Sequence, residues 1–122
     1  WEAGLGDANG FNQTGKAWLP QPPIYSEYAR DRQDGVAGST LELYKLAIRL
    51  RKELKLGDGD FEWVAEFTNE KTLGFKNGEI LVIHNFGSQP LQLPALHIVA
   101  SSQNGLTLGA TLSADQTVWL AV

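Results

Sequence analysis

The stretch Thr72–Phe86, TLGFKNGEILVIHNF, decides the fold. Asn77-Gly78 is a strong signal for a tight hairpin turn, because both central positions of a type I′ turn require positive φ. In the segment that follows, apolar residues occupy both faces of the predicted strand: Ile80, Val82 and Phe86 on one face, and Leu81 and Ile83 on the other. A strand that is apolar on both faces is covered on both sides, so we predict a central strand in a sheet.

Shorter strands are predicted on both sides of this hairpin. Large apolar residues recur at every second position before it, which is typical of a half-buried strand: Phe61, Trp63, Ala65 and Phe67. Turn residues separate the later candidates, at 91–93, 97–101, 106–108 and 117–120. Several short strands at this spacing favour a small antiparallel β-sandwich, so the predicted fold class is mainly β.

One amphipathic helix, over residues 39–55, precedes the sheet. Ser39 and Glu42 form a capping-box pattern at its start, and Gly57 is the predicted stop. Apolar residues cover a wide arc of this helix: Leu43, Tyr44, Leu46, Ala47, Ile48, Leu50 and Leu54. A helix with so wide an arc is expected to pack against two bodies rather than one.

Residues 1–38 are predicted to form a long loop, rich in glycine and proline, with a weak helical pattern at 25–32. Such a loop is uncommon inside a self-contained domain, and its aromatic side chains need a surface to cover. Trp1, Phe11 and Trp18 are the candidate functional residues. They form either a wall on which sugar rings stack or anchors on a neighbouring domain, and the residue types favour neither.

The composition excludes several classes of function. The formal net charge is -4 and the pI is near 5.0, which argues against binding to nucleic acids or to anionic membranes. Cysteine is absent, so neither disulfides nor thiolate metal sites are predicted. A reducing compartment is compatible with this absence, and we predict a cytoplasmic location. No apolar run reaches the ~20 residues that a membrane span needs.

The titratable residues form no catalytic or metal-binding pattern. His84 and His97 lack partners at ligand spacing, and we interpret both as structural. A glycosidase needs two carboxylates that face one bond. Those of the loop are scattered instead: Glu2, Asp7, Glu27, Asp31 and Asp34. We therefore predict no catalytic residue, no metal site and no cofactor in this chain.

The order of the segments resembles a known family. Trp1, Gly10-Phe11 and Trp18-Leu19-Pro20-Gln21 are similar to the loop after the eighth barrel strand in α-glucosidases of the α-amylase superfamily. Leu43-Tyr44-Lys45 and Leu50-Arg51-Lys52 are similar to the last barrel helix. The small β domain that ends such enzymes resembles the remaining segments: GFKNGEILVIHNFGSQPLQLP, Ser101-Ser102 and LSADQTVWLAV.

The resemblance implies that the chain is a C-terminal piece of a larger enzyme. Residues 1–57 would be the last loop and helix of a (β/α)8 barrel, and residues 58–122 the C-terminal β-sandwich. A start at Trp1 without any Met fits a missing upstream part, and the barrel is then the predicted partner within the same polypeptide. Because the barrel-facing side of the helix would be exposed, we expect self-association, or residues 1–38 folded back over the helix.

The family cleaves α-glucosidic bonds by double displacement with retention. Its Asp nucleophile, Glu acid/base and second Asp lie on earlier barrel strands and have no match here. The resemblance therefore implies α-linked glucose oligosaccharides as substrates of the parent enzyme and an inactive isolated chain. It also implies Trp1, Phe11 and Trp18 as residues of the substrate rim. Two alternatives stay open: a freestanding carbohydrate-binding module and a purely structural β-sandwich, of which the wide helical arc favours the structural role.

Overall fold

A single long helix precedes seven β-strands in the structure, a computed structural model that describes residues 1–122. The strands are β1 Phe61–Trp63, β2 Thr72–Asn77, β3 Ile80–Asn85, β4 Leu91–Gln92, β5 His97–Ser101, β6 Thr111–Leu112 and β7 Gln116–Ala121. Five of them form one antiparallel sheet in the order β1-β2-β3-β7-β5, and β4 pairs with β6 in a second sheet. The mainly β fold class is confirmed.

The hairpin predicted from the sequence lies at the centre of the large sheet. Asn77 pairs with Ile80, so the connection between β2 and β3 is the two-residue loop Gly78-Glu79. The prediction placed this loop one residue earlier, at Asn77-Gly78. Gly78 has a φ of 55° at the first loop position, where a type II′ turn needs glycine.

One face of the large sheet, here called the core face, is sealed by the second sheet. Leu81 lies opposite Leu120, and Ile83 lies opposite Val118. All four side chains are buried. Residues from outside the large sheet close over them: Phe67, Leu93 and Leu112. The two layers thus make the predicted β-sandwich around one hydrophobic core.

The opposite face, here called the aromatic face, is only partly covered. The cross-strand register places on it Phe61, Trp63, Phe75, Ile80, Val82 and Trp119. Ile80 and Val82 are buried at its centre, where Leu56 packs on them. Phe61 and Trp63, on the edge strand β1, remain 54% and 56% exposed.

The predicted strands 91–93, 97–101 and 117–120 are confirmed as β4, β5 and β7 to within about two residues, whereas the strand that begins at Phe61 is shorter than predicted and the strand predicted at 106–108 is wrong. The alternation from Phe61 to Phe67 stops at Trp63, because a 3-10 turn over Ala65–Phe67 places Phe67 on the core face. Residues 106–108 form no strand, and Leu108 is 64% exposed. Strand β6 forms instead at Thr111–Leu112, where Leu112 is fully buried.

The helical part of the chain contains α1, Arg30–Gln33, and α2, Thr40–Glu53. Ser39 caps α2 as predicted, since its Oγ accepts the backbone N–H of Glu42 at 3.2 Å. The Glu42 carboxylate accepts the N–H of Gly35 at 2.9 Å. The carboxylate thereby ties the preceding loop to the first turn of α2, whereas a capping box would direct it to Ser39.

The end of α2 differs from the prediction. Lys55, not Gly57, adopts the left-handed conformation, with a φ of 52°. The N–H of Leu56 donates to the carbonyl of Arg51 at 3.0 Å, and the N–H of Lys55 donates to that of Lys52 at 3.2 Å. This pair of bonds is the Schellman motif, which usually has glycine at the left-handed position. The lysine there explains why the sequence pointed to the next glycine instead.

Residues 1–38 are mostly loop, as predicted, with a 3-10 turn over Pro23–Ser26 and the short α1 in the region of the weak helical pattern. Contacts divide the chain into two compact units, Trp1–Tyr44 and Lys45–Val122. The sequence predicted a different division, in which residues 1–57 derive from a barrel and residues 58–122 form the β domain. That division concerns evolutionary origin and stays a prediction. The helices are all too short or too polar to span a bilayer.

Candidate functional site

The loop that carries the predicted rim residues is held in shape by its own backbone. The N–H of Glu2 donates to the carbonyl of Asn9 at 2.8 Å, which closes the first turn of the loop. Gly10 has a φ of 72°, and a Cβ there would lie 2.8 Å from Cδ1 of Leu5. Glycine is therefore required where the chain turns toward Phe11.

Asn12 organises the segment that leads to Trp18. Its Oδ1 accepts the N–H of Gly15 at 2.9 Å and the hydroxyl of Thr14 at 3.0 Å. Its Nδ2 donates to the carbonyl of Lys16 at 2.9 Å. One amide side chain thus bonds three points of the loop, as short polar residues commonly do in turns.

Phe11 and Trp18 line one open cavity of about 330 Å³. Their side chains are 85% and 97% exposed, so both rings are free to contact a ligand. The same loop supplies the rest of the lining: Ala8, Asn12, Lys16, Ala17, Leu19 and Gln21. Aromatic rings beside a few polar groups are typical of small-molecule sites, and a sugar can use both, through its C–H faces and its hydroxyls.

Trp18 also lines a second, shallower depression of about 430 Å³. Its other lining residues are Asp7, Ala17, Leu19, Pro20 and Gln21. Asp7 is the one carboxylate among the lining residues of the two cavities. A retaining glycosidase acts with two carboxyl groups ~5–5.5 Å apart, and these cavities do not supply that pair.

Trp1, the third predicted rim residue, lies outside both cavities. Its ring packs edge-on against Tyr25, with the centroids 6.3 Å apart. Its carbonyl accepts the backbone N–H of Arg30 at 3.2 Å. The structure therefore brings together Phe11 and Trp18, but not Trp1.

Three of the other loop carboxylates, Glu2, Asp31 and Asp34, make local contacts within the loop and α1. The Arg30 guanidinium lies 2.7 Å from Glu2 Oε1 and 3.5 Å from Asp34 Oδ2. Asp31 accepts the backbone N–H of Ala3 at 2.9 Å. These contacts fasten the start of the loop to α1.

The two histidines lie far from each other in the sheet and differ in their surroundings. His84 Nδ1 lies 2.7 Å from the hydroxyl of Thr117, and its ring is 4.0 Å from that of Phe86. His97 is exposed at the start of β5. No group of three or more His, Asp or Glu side chains in residues 1–122 is arranged to hold a metal ion.

Sequence reasoning found the two aromatic residues of the cavity but not its polar lining. Asn12, Lys16 and Gln21 lie within ten residues of one another in the loop. They belong to no motif, and the path of the loop brings them to the same cavity. Their proximity to Phe11 and Trp18 along the chain was the one available signal.

Comparison with known proteins gives matches in sequence and in structure, although no protein-family model matches the chain. The sequence is similar to the salivary alpha-glucosidase of Aedes aegypti, with 30% identity over 98 residues, or 76% of this chain and 16% of that protein. The fold is similar to that of Bacillus licheniformis trehalose-6-phosphate hydrolase, with a TM-score of 0.71 at 23% identity. That alignment covers 100% of this chain and 25% of the hydrolase. A single-residue variant of the same hydrolase gives a TM-score of 0.70 over 97% of this chain.

The chain thus spans a quarter or less of the length of these relatives. The sequence match covers 76% of the chain and therefore includes parts of both its halves. The structural match includes the loop, α2 and the β-sandwich. The resemblance inferred from the loop and helix motifs is confirmed: the chain is related to the α-glucosidases of the α-amylase superfamily of glycoside hydrolases, and its fold is that of the C-terminal region of such an enzyme.

Proposed function

We propose that this chain is the C-terminal part of an α-glucosidase that hydrolyses α-glucosidic bonds of oligosaccharides with retention, and that its own role is structural. One observation carries the proposal: the alignment with the solved hydrolase extends over 100% of this chain. A freestanding β-sandwich would match over the β domain alone, and would have no use for a barrel-type loop and helix before it.

The chain is proposed to be inactive by itself. Glu2, Asp31 and Asp34 are engaged by Arg30 and Ala3, and Asp7 has no second carboxylate beside it in the cavities that Trp18 lines. The nucleophile and the acid/base would come from earlier strands of the parent barrel. The partner is accordingly that barrel, and α2 offers it an apolar arc that has no buried residue in this structure.

Within the parent enzyme, Phe11 and Trp18 would form part of the substrate rim. Their exposed rings can stack on a glucose unit, and Lys16 and Gln21 can bond its hydroxyls. Trp1, predicted as a third rim residue, is better suited to anchor the loop through Tyr25. The cytoplasmic location remains a prediction from the absence of cysteine.

The test compares the isolated chain with the complete protein encoded by the gene that contains it. Both are assayed on p-nitrophenyl α-glucoside, maltose, isomaltose and trehalose. We expect hydrolysis of at least one substrate by the complete protein, with the anomeric configuration retained by NMR, and none by the isolated chain. A complete protein that is inactive on all four, or that inverts the configuration, contradicts the proposal.

The Phe11–Trp18 cavity is the specific observation that favours the alternative, a carbohydrate-binding module. That function requires the isolated chain to bind maltotriose, with binding lost in Trp18→Ala and kept in Trp1→Ala, because Trp1 lies outside the cavity. The structural role predicts no measurable binding by the isolated chain. Isothermal titration of the wild type and the two variants separates the two functions.

A further inference from the structure

Large apolar side chains are exposed next to one another on the aromatic face. Phe61, Trp63 and Phe75 form one cluster, with ring centroids 4.8, 5.2 and 6.1 Å apart. Phe61 and Trp63 are two of the three residues of β1, and both are more than half exposed. Contiguous exposed patches of this kind mark interaction sites on proteins.

The sequence pattern on this face differs from that of a solvated sheet. Antiparallel sheets that face water on one side alternate apolar and polar residues, with the polar side outward. Here the register places no Asp, Glu, Lys or Arg on the aromatic face in β1, β2, β3 or β7. An uncharged face rich in Trp and Phe is typical of the buried centre of a protein–protein interface.

The path of the chain indicates which body covers the face. Leu56, the residue directly after the Schellman motif of α2, is buried on Ile80 and Val82 at the centre of the aromatic face. The polypeptide that precedes the β domain therefore reaches the sheet on this side. The solved hydrolase with this fold is about four times as long as the chain, since the match covers 25% of it.

We propose that the aromatic face is the surface through which the β domain packs against the catalytic barrel of the same polypeptide, with Phe61 and Trp63 buried in that contact. This inference rests on the proposed function, because it requires a barrel. The inference adds to the proposed function by naming the face of the sheet and the residues that make the contact. A contact between domains of one chain commonly buries about 600–1,500 Å².

Thiol labelling tests the proposal, since the chain has no native cysteine. Phe61→Cys and Trp63→Cys report on the aromatic face. Glu62→Cys is the matched control, because Glu62 is an exposed residue of the same strand whose side chain lies on the other side of the sheet. Each variant is labelled with iodoacetamide in the isolated chain and in the complete protein, and the modified peptide is quantified by mass spectrometry.

We expect the labelling rate at positions 61 and 63 to fall about tenfold or more in the complete protein, because labelling then requires local opening. The rate at position 62 should change by less than about twofold. Equal rates at positions 61 and 63 in both proteins, in a complete protein that hydrolyses p-nitrophenyl α-glucoside, overturn the inference alone. A complete protein without α-glucosidase activity overturns the proposed function, and the inference with it.

Discussion

The side-chain amide of Asn85 joins the two sheets, because its Nδ2 donates to the backbone carbonyl of Leu112 at 3.0 Å. The same nitrogen lies 2.9 Å from the carbonyl of Gln89 and 3.2 Å from that of Ser113. Its Oδ1 accepts the N–H of Gly87 at 2.9 Å. Asn85 is almost completely buried, and so is its hydrogen bond to the Leu112 carbonyl.

Asn85→Ala is therefore expected to destabilise the β domain by about 2–4 kcal/mol, since it removes the buried hydrogen bond to Leu112 together with the bonds to Gln89, Ser113 and Gly87. Asn85→Asp should be at least as damaging, because a carboxylate would face carbonyl oxygens where an amide donated. Urea unfolding followed by circular dichroism measures both. Gln89→Ala, which removes an exposed side chain in the same turn, is the control. A loss of less than about 1 kcal/mol in Asn85→Ala would show that the amide does not hold the sheets together.

A substitution at the end of α2 is predicted to stabilise the chain. Lys55 pays the steric penalty of a left-handed residue, and Lys55→Gly should stabilise the chain by about 1 kcal/mol. Gly57→Ala should be nearly neutral, because Gly57 has no positive φ and an added Cβ would approach only Arg51 Nη2, at 3.9 Å. Thermal unfolding of the two variants measures these effects. If Gly57→Ala were strongly destabilising and Lys55→Gly had no effect, the residue that ends the helix would be Gly57 rather than Lys55.

Gly74 in β2 has a packing role. A Cβ at this position would collide with the Cβ of Phe67, the residue that the 3-10 turn places over the core face. Gly74→Ala should therefore cost about 1–3 kcal/mol through overpacking, although its backbone conformation suits any residue. Urea unfolding measures the loss, and Gly57→Ala again serves as the control. A neutral Gly74→Ala would mean that Phe67 is free to move away from β2.

These residues show how far the sequence could predict the fold. The alternation from Ile80 to Phe86 was sufficient to place a central strand, because burial on both faces leaves a local pattern. Phe67 continued the alternation of Phe61 and Trp63, but it changes faces because Gly74 gives it space in the neighbouring strand. That space depends on a contact distant in sequence, so no period in the segment itself could indicate it.

In the candidate site, too, local patterns could be predicted and contacts between distant residues could not. Phe11 and Trp18 could be predicted because exposed aromatic residues in a glycine-rich loop are unusual. The separation of Trp1 from them depends on its contacts with Tyr25 and Arg30, more than twenty residues away. The aromatic face was also beyond the sequence pattern, which placed Phe61 and Trp63 on a half-buried strand. Its exposure arises from which elements cover the sheet, not from the strands themselves.

The position of β6 can be tested by paired truncations. Leu112→Ala removes a fully buried side chain from the core face and should cost about 2–5 kcal/mol. Leu108→Ala removes a side chain that is 64% exposed and should change stability by less than about 0.5 kcal/mol. Both are measured by urea unfolding. Equal losses would indicate that Leu108 is buried in the core to the same extent as Leu112.

The exposed arc of α2 predicts self-association of the isolated chain. Tyr44 and Ile48 lie one turn apart on the helix and are 64% and 54% exposed. Covering a side chain such as Ile48 is worth about 1.5–3 kcal/mol, so two copies gain by burying the arc against each other. Light scattering after size-exclusion chromatography should give a mass above that of the 13.4 kDa monomer. Ile48→Glu should restore the monomer, whereas Thr40→Glu, which adds the same charge at the start of the helix, should not. A wild-type chain that is monomeric at every concentration contradicts this prediction, and it would mean that the arc is stable in water without a partner.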